Sequence, residues 1–207
     1  MRWKWMLLCF GIAVVALFAT LVVSALLPAA GSDDDLGGKV NHFTSTTRDY
    51  LLVILLLTPL QAAGEEYAFR GYLTQAFGGV FRRRWVAVVV PAVLFALAHG
   101  SQGIPVFFDR LAFGLVAGVL VIVTGGLEAG IAMHVLNNFL AFGLALAFGD
   151  MTTALKASES SWWMIPSTLT QSLVYLGLVT YAARRLGIAR RTAGETATVL
   201  VGQTPPV

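Results

Sequence analysis

The sequence predicts an all-α polytopic membrane helix bundle with about six transmembrane helices, and three observations predict it. Of 207 residues, 57% are apolar and only 12% charged, with a mean hydropathy of +0.77, which leaves too little polar surface to face water. The apolar residues fall in runs of about 20, the length that crosses a bilayer. The basic residues gather at one set of span ends, as topology-setting residues do. The excess of 14 Lys+Arg over 11 Asp+Glu comes with no basic face interleaved with aromatics, so no nucleic-acid partner is expected. The single cysteine, Cys9, lies in an apolar run and excludes an intrachain disulfide or a Cys-based metal site.

The first span is residues 6–27. Arg2 and Lys4 before it resemble the start of a signal peptide, but the apolar stretch is too long for one and lacks a small-x-small cleavage site. A polar loop with Asp33, Asp34 and Asp35 follows. The second helix is expected from about residue 50 to 77, stopped by Gly78 and Gly79. Residues 85–98, 106–124, 127–147 and 162–183 supply the remaining spans. Pro91 and Pro166 are tolerable where neighbouring helices satisfy the freed carbonyls. Six spans leave both ends on one side. That side carries Arg2, Lys4, Arg82, Arg83, Arg84, Arg184, Arg185, Arg190 and Arg191, so a cell-membrane protein with both termini cytoplasmic is expected. The other face holds the three aspartates, Asp150 and Glu159, with Lys39, Arg48, Arg110 and Lys156. The chain thus divides into residues 1–49 (first span and polar loop), 50–147 (the core with the polar motifs), 148–186 (loop and last span) and 187–207 (a mobile tail without apolar periodicity).

Ionisable groups at membrane depth are costly, so each is a functional candidate. The second helix carries Glu65, Glu66 and Arg70 in EEYAFRG, the third ends in FALAH with Phe95 and His99, and the fifth carries HVLNN with His134 and Asn138. At about 1.5 Å per residue, Glu65 lies roughly 18 Å from the break after Phe77, and His99 roughly 21 Å along the returning helix. The same count puts His134 about 12 Å and Asn138 about 18 Å into the fifth helix, so three helices bring polar groups to one layer. The i,i+4 spacing places His134 with Asn138 on one face and Glu66 with Arg70 on another. Pairing with Arg70 would neutralise Glu66, leaving Glu65 for chemistry. A poorly solvated carboxylate can take a proton from water near neutral pH. His99 can hold the same water, and His134 with Asn138 can donate two hydrogen bonds to a developing oxyanion. The reaction that this set suits is peptide-bond hydrolysis inside the bilayer.

These motifs resemble a known family. EEYAFR fits EExxxR, FALAH fits FxxxH and HVLNN fits HxxxN, in the order found in the CPBP family, the CAAX-protease and bacteriocin-processing membrane proteins also called Abi. The resemblance covers about residues 50–147; the first and last spans carry no family signature. It implies an intramembrane glutamic endopeptidase related to the type II CAAX prenyl endopeptidases, which cut the last three residues from prenylated proteins. It further implies that Glu65 and His99 activate water, that His134 and Asn138 form the oxyanion site, and that Glu66 and Arg70 support them. On the same resemblance no cofactor is needed, and the partners are membrane lipids and a membrane-associated protein or peptide substrate.

Other readings compete. Glu65, His99 and His134 could make a three-ligand zinc site with an open position, although HExxH enzymes carry both histidines on one helix. Buried Glu, His and Arg also build ion or proton pathways, but a small transporter should show a repeat between halves, and none is visible. A catalytically silent adaptor or immunity protein would have no need of the whole polar set. Glu66 and Arg70 read as helix glue, Phe95 as packing, and His42 as solvated. The Gly114 and Gly118 pair marks close helix packing, and Trp3, Trp5, Trp85, Trp162 and Trp163 form an aromatic belt. The polar cavity is expected to be reached from the cytoplasmic side or laterally from lipid.

Overall fold

The computed structural model describes residues 1–26, 40–81, 83–100, 102–149, 151, 162 and 164–188. The expectations for Asp33, Asp34, Asp35, Lys39, Arg82, Asp150, Lys156, Glu159, Trp163, Arg190, Arg191 and the tail beyond residue 188 lie outside them. The helices are α1 (Trp3–Leu26), α2 (Ser45–Glu65), a π-helical segment (Glu66–Leu73), α3 (Thr74–Phe81), α4 (Arg84–Ala98), α5 (Ile104–Thr124), α6 (Glu128–Phe148) and α7 (Met164–Arg185). α2, the π segment and α3 run on as one rod, so the described residues form six rods and no strand.

This is a multi-pass membrane protein built as a helical bundle. Four rods are long and apolar enough to span a bilayer: Trp3–Val23, Ser45–Phe81, Ile104–Thr124 and Glu128–Phe148. α4 is apolar but has only 15 residues, about 22 Å of rise. α7 has 22 residues but is diluted by polar ones, of which Ser167, Gln171 and Ser172 are turned into the protein. Lipid-facing positions are apolar, as at Leu56 and Leu60. Trp3, Trp85 and Trp162 are exposed as a belt requires, whereas Trp5 is a buried core residue (4% exposed), because a residue two further along α1 turns to the opposite side of the helix.

Two boundaries differ from expectation for local reasons. α2 starts at Ser45 because Thr44 and Thr47 form a reciprocal cap: the Thr44 hydroxyl accepts from the Thr47 amide and the Thr47 hydroxyl from the Thr44 amide, both at 3.2 Å. The rod continues through Gly78 and Gly79 to Phe81, since neither glycine takes the left-handed conformation that ends a helix. Gly125 does take it (φ 67°) and ends α5.

α4 and α5 pack antiparallel through the two glycines of α5. A Cβ at Gly114 would lie 3.0 Å from the Ala92 Cβ, and one at Gly118 would lie 2.9 Å from a Val88 methyl. The small-residue stripe is therefore what lets these helices touch. α1 and α7 close the bundle. Cys9, Ala13 and Ala16 of α1 and Tyr175 and Val179 of α7 join Leu120 and Met133 in the central core.

Candidate active site

The motif residues converge where the π segment crosses α6. Widening of the helix after Glu65 leaves the Phe69 carbonyl to accept from both the amide and the hydroxyl of Thr74, five residues on, the latter at 3.0 Å. Such widened turns are frequent at functional sites. Glu66 and Arg70 project inward from this segment and form a fully buried pair, Nη1 to Oε1 at 3.1 Å. The Arg70 guanidinium lies 4.1 Å from the centroid of the Phe95 ring and is flanked by Phe69 and Phe113. A planar cation over an aromatic face gains electrostatic attraction in place of lost water. Phe95 is thus the plate on which the ion pair rests as well as a packing residue. Its FxxxH position, one turn before His99, is the signal that could have assigned it.

Glu66 has a second partner. His134 Nδ1 lies 3.0 Å from the same carboxylate, while its Nε2 faces Glu65 Oε2 at 3.7 Å. His134 therefore bridges the two glutamates, and Glu66 both balances Arg70 and orients the imidazole. Phe113 and Phe95 hold the ring edge-on, with centroids at 5.0 and 5.9 Å. Gly130, one turn before His134, makes the approach possible: a Cβ there would stand 2.6 Å from Glu66 Oε2.

Glu65 is the more open carboxylate, its side chain 23% exposed against none for Glu66. Gln61, one turn earlier, donates to Oε1 at 3.0 Å. Oε2 is buried and finds no hydrogen-bond partner among the described residues. His99 caps the end of α4, its Nδ1 2.8 Å from the Phe95 carbonyl. A carbonyl only accepts, so Nδ1 carries the proton and Nε2 presents a lone pair. Its ring stacks edge-on to Phe95 at 4.7 Å and lies within electrostatic reach of Glu65, His134 and Arg110. Asn138 follows His134 by one turn, partly exposed. Among the described residues, no group of three or more His, Cys, Asp and Glu side chains is arranged to hold a metal ion.

Sequence reasoning missed the supports of α6. Glu128, in its first turn, is buried and accepts from the Arg2 amide at 2.9 Å and from the Arg2 guanidinium at 3.1 and 2.8 Å, while Arg2 also donates to the Thr124 carbonyl. The buried Tyr175 hydroxyl donates to the carbonyls of Ala129 at 2.9 Å and Cys9 at 3.3 Å. An acidic residue at a helix start opposite a basic residue near the N-terminus was the only available signal for the first; none marked Tyr175.

Residues 47–140 match the family of Rce1-like type II CAAX prenyl endopeptidases. The protein YyaK of Bacillus subtilis (strain 168) is 24% identical over 189 residues, covering 86% of this chain. The chain spans 62% of the length of that curated relative. No solved structure matches.

Proposed function

We propose that this chain, whose residues 47–140 match the family of Rce1-like type II CAAX prenyl endopeptidases, is an intramembrane endopeptidase hydrolysing a peptide bond of a membrane-associated protein or peptide. CAAX-type and bacteriocin-type processing are the substrate classes that this reading admits. The observation that carries it is the facing pair Glu65 Oε2 and His134 Nε2, 3.7 Å apart with the carboxylate oxygen unpartnered. At that separation the two atoms make no direct hydrogen bond, so each keeps its capacity for a reactant.

In the proposed reaction Glu65 takes one proton from the water as general base, and His99 Nε2 accepts a hydrogen bond from the remaining O–H, which stays on the attacking oxygen. As the water oxygen bonds to the peptide carbon, the carbonyl oxygen gains charge and is met by His134 and the Asn138 amide. For His134 to donate through Nε2 while Nδ1 donates to Glu66, the ring carries both protons. Collapse of the intermediate breaks the C–N bond, and Glu65 returns its proton to the leaving amine. No step calls on a metal.

We predict that Glu65→Gln lowers kcat by roughly 10²–10⁴-fold, the usual weight of a positioned general base, with unchanged thermal unfolding in detergent. Cleavage of a lipid-anchored reporter peptide by purified protein is the assay, run in parallel with a chelator and metal analysis. Wild-type rates in Glu65→Gln would refute the base assignment. Loss of activity on chelation, restored by zinc, would replace the mechanism with a metal-dependent one.

A further inference from the structure

We propose that the widened π-helical turn is what sets Glu65 and Glu66 on one imidazole, and that Thr74, which lies outside the three motifs, is the positioning residue that holds this turn through its hydroxyl. The catalytic half of this rests on the endopeptidase reading; the part concerning the turn and His134 does not.

The buried residues of the rod made by α2, the π segment and α3 are Ile54, Thr58, Ala62, Glu66, Arg70 and Thr74, a repeat of four without exception. Four residues of an α-helix turn through about 400°, so each such step carries a stripe about 40° round the axis. Five α-helical steps would put Thr74 about 200° from Ile54, on the opposite side of the rod. In a π-helix each hydrogen bond spans five residues, so four residues fall short of a full turn and the stripe moves back. The three steps from Ile54 to Glu66 drift one way, and the two from Glu66 to Thr74 reverse the drift. The stripe thereby stays on one face. Different helices fix its two ends: Ala62 packs with Ile131 and Val135 of α6, and one step beyond Thr74 a Cβ at Gly78 would lie 3.4 Å from the Ala87 Cβ of α4. The π segment takes up the difference in rotation between these contacts, and Glu65 and Glu66 stand where it begins. Rewinding it as a regular α-helix would turn α2 against α3. Glu66 could then no longer keep both His134 and Arg70, nor could Glu65 keep its place opposite Nε2.

Thr74 closes this turn. In an α-helix a threonine hydroxyl returns to the carbonyl three or four residues back. That of Thr74 goes five back, to Phe69, whose carbonyl also accepts the Thr74 amide. A carbonyl has lone pairs for both. The amide bond is the one that defines the widened turn, and the hydroxyl bond adds a second tie between the same two residues. Thr74 is buried, and among the described residues the Phe69 carbonyl is the partner of its hydroxyl. A buried hydroxyl without a partner is costly, so the hydroxyl bond and the widened turn secure each other. Phe69 in turn meets Phe95 edge-on, with ring centroids at 5.3 Å, and both rings lie against the Arg70 guanidinium. The tie at Thr74 therefore reaches the reacting groups through the seat of the Glu66 and Arg70 pair, while Thr74 itself touches none of them.

The test compares Thr74→Val, which keeps the shape and removes the hydroxyl, with Thr74→Ser, which keeps the hydroxyl. The full chain has three histidines, so NMR of detergent-purified protein carrying isotope-labelled histidine reads His134 directly, with His134→Gln to assign its signal and His42 as the internal control. In Thr74→Val the His134 signal is expected to move while that of His42 stays. On a lipid-anchored reporter peptide the same variant should lower kcat by on the order of 10- to 100-fold, the scale of a small misplacement of catalytic groups, with KM near the wild-type value. Thr74→Ser should return both readings toward wild type, which a role in packing alone would not produce, since serine lacks the methyl group. If Thr74→Val does not fold, Thr74→Ala replaces it with the same expectations. An unmoved His134 signal overturns the proposal, as does a moved signal with wild-type kcat, or a Thr74→Ser protein as defective as Thr74→Val. If wild type cuts no reporter peptide, the endopeptidase reading falls, while the His134 signal still decides whether Thr74 sets the contact.

Discussion

Gly130 shows how one residue position controls the chemistry. Its missing side chain is the space that Glu66 occupies, and Glu66 cannot retreat because Arg70 and His134 hold the same oxygen. We predict that Gly130→Ala costs about 1–3 kcal/mol of stability, the usual penalty of overpacking, and that activity falls more than stability does, because the His134 bond is what must yield. Cleavage rate and thermal unfolding of the same preparation check this; wild-type kcat would show that Glu66 does not orient His134. The i,i+4 ion pair of Glu66 and Arg70 was legible in the sequence, because neighbours on a helix face are set by local geometry. That His134 would also contact both glutamates was not, since it depends on the rotation of α6 against the π segment.

Among elements, the α4–α5 pair carries the argument furthest. The GxxxG reading from sequence proved to be a helix contact, and its partners Ala92 and Val88 lie on the face of α4 that ends in Phe95 and His99. Pushing α4 outward therefore moves both. We predict that Gly118→Leu costs about 1–3 kcal/mol and lowers activity, whereas Gly177→Leu, where nothing lies within 4 Å, leaves both within the noise of an unaltered surface position. Equal effects of the two would show that the close approach is not what holds α4. The boundary errors at Thr44 and Gly78 were also element-scale. The first was a missed capping box. The second treated glycine as a stop, where the helix stops only if that glycine takes a positive φ.

At the scale of the whole molecule, the helices outside the family match serve the helix within it. α1 and α7 grip the first turn of α6 through Arg2 on Glu128 and Tyr175 on Ala129, one to two turns before His134. We predict that Arg2→Ala costs about 1.5–3 kcal/mol, the weight of hydrogen bonds to a charged group. Combined with Glu128→Gln it should cost less than the sum of the two, because the pair shares one interaction. A double-mutant cycle on unfolding in detergent measures the coupling, and strict additivity would mean that the contact does not stabilise α6.

Hydropathy and helix spacing determined from the sequence alone that this is a helical membrane protein, where its apolar helices run and which residues are candidates for chemistry. Those properties depend on the bilayer and on neighbours a few positions apart, both of which a single chain reveals. Only the tertiary structure decided that one imidazole lies between two carboxylates and that a glycine on the helix of that imidazole makes room for one of them. Each of these is set by the packing of helices distant in the chain, where a rotation of one residue step, about 100°, exchanges the buried side for the lipid side.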